Sequence, residues 1–242
     1  MDITQISPDE VVLWELGIFR INATIAFTWA VMGLLVVTAL LITRRLTTGP
    51  RISRWRSALE ALVGYTRDQI REIAGMQADS ILPFVGTLTL FIGVSNFLAI
   101  VPGYEPPTSS LSTTTALALA VFVAVPAYGI AAEGIPSYLR HYIEPTWLML
   151  PFRIISELSR TLALAVRLFG NVMSSVKIVA ILLAIVPLLF PAVLSALGLL
   201  TGLIQAYIFA VLATVYIASG TRAQEAPSAG DPAGEDAPEK GN

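Results

Sequence analysis

The sequence lacks several residue types on which soluble enzymes depend. It contains no cysteine and a single histidine, His141. The missing cysteine excludes disulfides, thiolate metal sites, iron–sulfur clusters and a cysteine nucleophile, and one histidine argues against a hydrolytic triad. The sequence also has no Gly-x-Gly-x-x-Gly fingerprint, Walker loop or Gly-x-Ser-x-Gly elbow. We therefore expect no cofactor, no metal site and no nucleotide site in this chain.

Charge is scarce as well. Charged residues make up 13% of the 242 residues, against roughly 25% in ordinary soluble domains. Apolar residues make up 55%, and the mean hydropathy is +0.73. A soluble fold of this size cannot hide so much apolar surface, so the solvent around much of the chain must be lipid. This excludes a soluble enzyme, a secreted disulfide scaffold and a nucleic-acid binder, and it makes the lipid bilayer a partner.

Five apolar stretches are long enough to cross a bilayer as helices. They cover residues 21–43, 81–101, 113–132, 147–186 and 192–219. The first is not a signal peptide, because its N-terminal flank is acidic and no small-residue cleavage site follows it. A cluster of arginines follows it instead, which places that end in the cytoplasm and the segment 1–20 outside. Counting crossings from there puts the C-terminus in the cytoplasm.

Two further segments differ from these spans. In residues 52–74, apolar residues recur at helical spacing between charged ones, which predicts an amphipathic helix lying in the membrane interface. Residues 220–242 are rich in Pro, Gly, Ala and acidic residues, which predicts a disordered cytoplasmic tail.

The stretch 147–186 is about twice as long as one perpendicular crossing requires, since a helix of this length measures about 60 Å. A reversal at Gly170–Asn171 would leave only Val172 to Val186 for the return crossing, which is too short. We therefore expect two long tilted helices that turn at Pro187 to Pro191. The predicted fold class is an all-α polytopic membrane protein with one N-terminal span, an interfacial helix, two further spans and this C-terminal hairpin.

Three charged residues lie near the start of the stretch 147–186. Glu157 stands four residues after Arg153 and three before Arg160, so on a helix it can pair with either. Charges at bilayer depth cost several kcal/mol each and usually mark a pathway or a partner. We interpret these three residues as a structural ion pair near the cytoplasmic end.

Arg167 has no such neighbour. Glu157 is ten residues away, about 15 Å along a helix, and the next acidic residue in the chain is Glu225. Arginine does not lose its proton in proteins, so its charge must be compensated by a carboxylate. Glu133 or Glu105 could supply it from within the chain, but both stand at the ends of spans. We favour a carboxylate on another subunit.

Polar residues accompany Arg167 on two stretches. Asn171 and Ser174 follow it at i+4 and i+7, and Ser175 is adjacent. Thr201 and Gln205 lie on one face of the last stretch. Such a stripe fits either an ion-conducting wall or plain interhelical hydrogen bonding, which is common in membrane bundles.

These motifs carry a family resemblance. Residues 159–171, SRTLALAVRLFGN, resemble the signature of subunit a of the membrane (Fo) sector of F-type ATP synthases. Residues 203–217, LIQAYIFAVLATVYI, resemble the last helix of the same family. The resemblance implies a stator subunit whose Arg167 faces a ring of c subunits, each with a membrane carboxylate. Gln205 would lie near the arginine, and Asn171 matches the asparagine of the motif.

The resemblance also implies a mechanism and partners. Two offset half-channels would deliver ions to the ring, and Arg167 would displace each bound ion while preventing a direct leak. We expect Asn171, Ser174, Ser175, Thr201 and Gln205 to supply neutral oxygens along the path. The c-subunit ring and b-type peripheral stalk subunits would be protein partners, in a bacterial or other energy-transducing inner membrane.

The sequence departs from the common family pattern at two positions. Val176 and Gly198 stand where many members carry an acid or a histidine. The segment MSSVKIVAILL suggests the alternate N-ATPase branch, of which some members are suspected of pumping sodium. Whether the ion is H+ or Na+ stays open. An alternative function is a secondary transporter that binds a small anion at Arg167, although the sequence has no internal repeat of the kind usual in transporters.

Overall fold

The computed structural model describes residues 12–16, 19–44, 54–101, 104–136, 149–185 and 189–221. Within these ranges a two-stranded antiparallel hairpin precedes six long helices. The strands are β1 (Val12–Leu16) and β2 (Phe19–Asn22); the helices are α1 (Ala23–Arg44), α2 (Arg54–Ala74), α3 (Ala78–Phe97), α4 (Leu111–Glu133), α5 (Met149–Ile185) and α6 (Leu189–Thr221).

The predicted helical membrane architecture is confirmed. Five helices are long and apolar enough to span a membrane, and they are the five that the sequence predicts. The helix α2 is not one of them, in agreement with its amphipathic pattern. Helices α5 and α6 form the expected pair of long helices, and α6 begins at Leu189, inside the predicted turn. The tail beyond Thr221 and the segment before Val12 lie outside the described residues.

The N-terminal hairpin corrects one boundary. The first helix begins at Ala23, not at Ile21, because Ile21 is paired with Trp14 in the β-ladder. No strand is predicted from the sequence in this region. Strands of five and four residues are too short for a clear alternating pattern, and the apolar Ile21 continues directly into the apolar helix.

The helix α2 is attached to the bundle and does not only face lipid. Gly75 lies between α2 and α3 and has a φ of +61°. This backbone conformation is unfavourable for residues with a side chain. The Arg67 guanidinium then pairs with the Asp79 carboxylate at 2.8 Å, and the hydroxyl of Tyr207 donates to the Gln69 amide oxygen at 2.9 Å. These contacts tie α2 to α3 and to α6.

The helix α6 is the centre of the bundle, since it packs against α2, α3, α4 and α5. Its buried residues are Gly202, Gln205, Ala206, Phe209, Ala210, Ala213, Thr214, Ile217 and Ala218. Small residues let helices approach closely in a membrane, where the lipid gives no hydrophobic drive for association. Among these residues, Phe209 and Ile217 are large side chains with no exposure, and Phe209 is the larger of the two.

We predict that Phe209→Ala lowers the free energy of unfolding in mixed micelles by about 3 kcal/mol, the usual cost of deleting a buried aromatic ring. Val215→Ala on the same helix is the control, because the Val215 side chain is 40% exposed. It should change the free energy by less than about 0.5 kcal/mol. Equal effects of the two substitutions would contradict the assignment of the core.

Candidate functional site

Arg167 is the middle residue of α5, and its side chain is exposed. Within the described ranges it has no hydrogen bond, ion pair or aromatic contact. Glu105, one of the two intrachain partners considered from the sequence, is described and does not pair with it. The side chain of Glu133, the other one, lies outside the described part.

The two faces of α5 around Arg167 differ sharply. Leu164 and Leu168 are buried, with 1% and 0% exposure. Ala163, Val166 and Gly170 are exposed on the side of Arg167. The guanidinium therefore lies on the outer surface of this chain, where lipid or another subunit must be its neighbour.

Four predicted site residues lie together where α5 crosses α6. The side-chain amide of Asn171 donates to the Thr201 carbonyl at 3.3 Å. The Thr201 hydroxyl in turn donates to the Gly198 carbonyl, and the Ser174 hydroxyl donates to the Asn171 carbonyl. A Cβ placed on Gly198 would lie 3.5 Å from the Cβ of Ser175, an ordinary van der Waals contact. This crossing is a polar seam built from neutral groups.

Gln205 on α6 is buried, whereas Arg167 on α5 is exposed. The Gln205 side chain is 4% exposed, and its amide nitrogen, Nε2, has no hydrogen-bond partner among the described residues. The structure gives no hydrogen bond between Gln205 and Arg167. A buried donor without a partner costs about 1–3 kcal/mol, so an acceptor such as water is needed here.

A buried asparagine, Asn96, was not predicted from the sequence. The Asn96 side-chain amide donates to the Gly202 carbonyl at 3.0 Å, and its oxygen accepts from the Thr108 hydroxyl at 3.0 Å. All three groups are buried and join α3, the loop before α4, and α6. An asparagine inside an apolar span is itself a signal that could have identified this residue.

The loop 104–110 adds a group of hydroxyls beside α3 and α5. The Ser109 hydroxyl donates to the Pro106 carbonyl, and Ser110 caps α4 by accepting from the Ser112 amide. The Tyr104 ring contacts Phe27 edge to face at 5.1 Å. Burial raises the pKa of the Tyr104 phenol, partly offset by a hydrogen bond with Ser95. This tyrosine is therefore neutral at physiological pH.

The predicted ionic group lines a cavity of about 300 Å³ between α4, α5 and α6. Arg153, Glu157 and Arg160 contribute to its wall together with Tyr216. The Arg160 guanidinium lies over the Tyr216 ring, 5.8 Å from its centroid, in a cation–π contact. The ion pair among the three charged residues stays a prediction. The described residues hold no cluster of His, Cys, Asp or Glu suited to a metal ion.

Comparison with known proteins gives a consistent family. The profile of the ATP synthase A chain family matches residues 25–218. The chain is 58% identical over 220 residues to ATP synthase subunit a 1 of Chlorobaculum parvum, covering 91% of this chain and 97% of that protein. It is 57% identical over 225 residues to ATP synthase subunit a 1 of Crocosphaera subtropica, covering 93% and 96%. ATP synthase subunit a of Albidiferax ferrireducens is 55% identical over 221 residues, covering 91% and 96%.

The profile match covers most of the chain, and it includes α5 with its exposed arginine and α6 with its buried glutamine. The relatives match over nearly their whole length at more than half identity. The chain therefore belongs to the ATP synthase A chain family, as a membrane-embedded subunit a of the Fo sector.

Proposed function

We propose that this chain is the stationary subunit that forms two ion half-channels against a ring of c subunits and couples H+ or Na+ flow to rotation of that ring. The observation that carries the proposal is Arg167, an exposed charge in the middle of a membrane helix with no partner in the described part of the chain. Because the chain belongs to the ATP synthase A chain family, the complex in which it acts is an ATP synthase. The alternative of an anion-binding secondary transporter is not retained, because no feature of the fold favours it.

The charge of Arg167 determines what its neighbour must be. An arginine at the bilayer centre costs about 2.5–3.5 kcal/mol by insertion measurements, and arginine cannot become neutral. A membrane carboxylate on the facing ring offsets this cost through a charge-assisted, bidentate contact. Each ring carboxylate that reaches Arg167 would release its bound ion. The fixed positive charge would also stop a cation from passing directly between the two half-channels.

Polar groups on both sides of Arg167 suit two offset paths. Asn171, which joins the seam to Thr201 of α6, lies C-terminal to Arg167 on α5; the cavity residues Arg160 and Glu157 lie about 10 and 15 Å N-terminal to it. The positive-inside rule assigns the seam to the outer half-channel and the cavity to the cytoplasmic one. In the outer path the ion would move along water and neutral oxygens, and the free Nε2 of Gln205 would donate to that water.

We predict that Arg167→Ala abolishes ATP synthesis and ATP-driven ion pumping while the subunit still assembles. Arg167→Lys should also fail largely, because a point-charge ammonium does not reproduce the planar fork of the guanidinium. The measurement is ATP-driven ion uptake by inverted membrane vesicles with equal amounts of complex. The control is Arg71→Gln, which removes an exposed arginine of α2 and should leave pumping intact. Substantial coupled pumping by Arg167→Ala would overturn the proposal.

We predict milder effects at the neutral residues of the outer path. Alanine at Gln205 or Asn171 should slow pumping several-fold, because each removes an amide that orders the path. Ser174→Ala should have the smallest effect, since the exposed hydroxyl bonds only to its own helix and water can replace it. Initial pumping rates at matched assembly are the measurement. Complete loss of pumping in Ser174→Ala would show that Ser174 is an essential ligand of the ion, which contradicts the minor role assigned to it here.

The identity of the ion is testable on the purified complex. A path of hydroxyl and amide oxygens can hold hydrated sodium or conduct protons along water, because hard cations favour oxygen ligands. We expect ATP hydrolysis coupled to a proton to be indifferent to sodium at alkaline pH, and we take the proton as the default. Hydrolysis measured against pH at several sodium concentrations decides between them. Stimulation of ATP hydrolysis by sodium at alkaline pH would show that the transported ion is Na+ and not H+.

A further inference from the structure

Two asparagines hold α6 at consecutive backbone carbonyls. The side-chain amide of Asn171 on α5 donates to the Thr201 carbonyl at 3.3 Å. The side-chain amide of Asn96 on α3 donates to the next carbonyl, that of Gly202, at 3.0 Å. The helix α6 is thus held from two different helices at one level, and we name this pair the asparagine clamp.

The clamp lies one turn before Gln205. In an α-helix the carbonyls of residues 201 and 202 also accept the backbone N–H groups of residues 205 and 206. Fixing the two carbonyls therefore fixes the rotation of α6 at Gln205. This matters because the buried Nε2 of Gln205 has no partner among the described residues. Without the clamp, a small rotation of α6 could relieve that unpaired donor and move the amide away from its position.

Asn96 is well suited to a positioning role. It is 4% exposed, and its side-chain oxygen accepts from the hydroxyl of Thr108, which is fully buried. Both ends of the amide are therefore engaged, which fixes its orientation. Gly202 makes the contact possible, since a Cβ there would lie 3.0 Å from the Asn96 Cβ and 3.1 Å from its Cγ.

We propose that Asn96 is a positioning residue for ion transport, which acts through Gln205 by way of the Gly202 carbonyl. This inference rests on the proposed function, because it assumes that Gln205 lies on the ion path. Asn96 then sets where Gln205 presents its free amide N–H to the water of the outer half-channel. Gly202 matters because a Cβ at this residue would force the Asn96 side chain to shift by a few tenths of an ångström.

A double-mutant cycle tests this role. Asn96→Ala should lower the rate of ATP-driven pumping about five-fold, the size expected from losing the hydrogen bond to the Gly202 carbonyl, and Gln205→Ala should also lower it several-fold. If Asn96 acts through Gln205, the double variant pumps no more slowly than Gln205→Ala alone. If the fold reductions of the two single variants multiply in the double variant, the two effects are independent and merely structural, and the inference is overturned. Equal assembly, measured by co-purification with the c-type ring, is required for each variant.

A glycine pair keeps the inference testable if Asn96→Ala assembles poorly. Gly202→Ala should reproduce the loss, because its Cβ displaces the Asn96 side chain. Gly93→Ala is the control, one turn from Asn96 on α3, where a Cβ meets nothing within 4 Å. Wild-type pumping by Gly202→Ala would contradict the clamp. Wild-type pumping by Gln205→Ala would instead show that the proposed ion path is wrong, which distinguishes the two failures.

Discussion

A positive charge that cannot be neutralised, placed halfway along a membrane helix, is the constraint on which the rest of this structure depends. Burying Leu164 and Leu168 against the bundle turns Arg167 outward, and no carboxylate in the described part of the chain pairs with it. A lipid headgroup cannot reach the bilayer centre without deforming the membrane. A carboxylate on a neighbouring membrane subunit would satisfy the charge at the same depth, and the proposed coupling to a rotating ring follows from that requirement.

The fold serves this constraint by making α6 rigid beside α5. Small residues bring α3, α4 and α5 close to α6, and the two asparagines add directional contacts where apolar packing alone would allow rotation. The polar groups in the seam are neutral, so they can order water without binding an ion tightly. The charged groups Glu157 and Arg160 lie in the cavity at the other end of α5. Glu157 and Arg160 thus lie N-terminal to Arg167 on α5, and the neutral residues Asn171, Ser174 and Ser175 lie C-terminal to it.

Much of this arrangement is predictable from the sequence. Hydropathy and length identify all five spans, and the spacing of acidic residues singles out Arg167. The N-terminal hairpin is not predictable in this way, because Ile21 belongs equally well to a strand and to the apolar run. The sequence also does not predict that Gln205 is buried while Arg167 is exposed. Helical periodicity within each stretch does not fix how the two helices are rotated relative to each other. Asn96 was overlooked because its partners, Thr108 and Gly202, are distant in sequence.

Cross-linking can test whether the membrane carboxylate of another subunit faces Arg167. The chain has no cysteine, so a single cysteine can be introduced cleanly. Ala163→Cys lies on the exposed face one turn before Arg167 and leaves the arginine in place, whereas Leu164→Cys lies on the buried face. Each is combined with a cysteine beside the membrane carboxylate of the c subunit, and disulfide formation is measured in native membranes. We expect a strong cross-link from position 163 and none from position 164. No cross-link from position 163, or an equal one from position 164, would contradict this expectation.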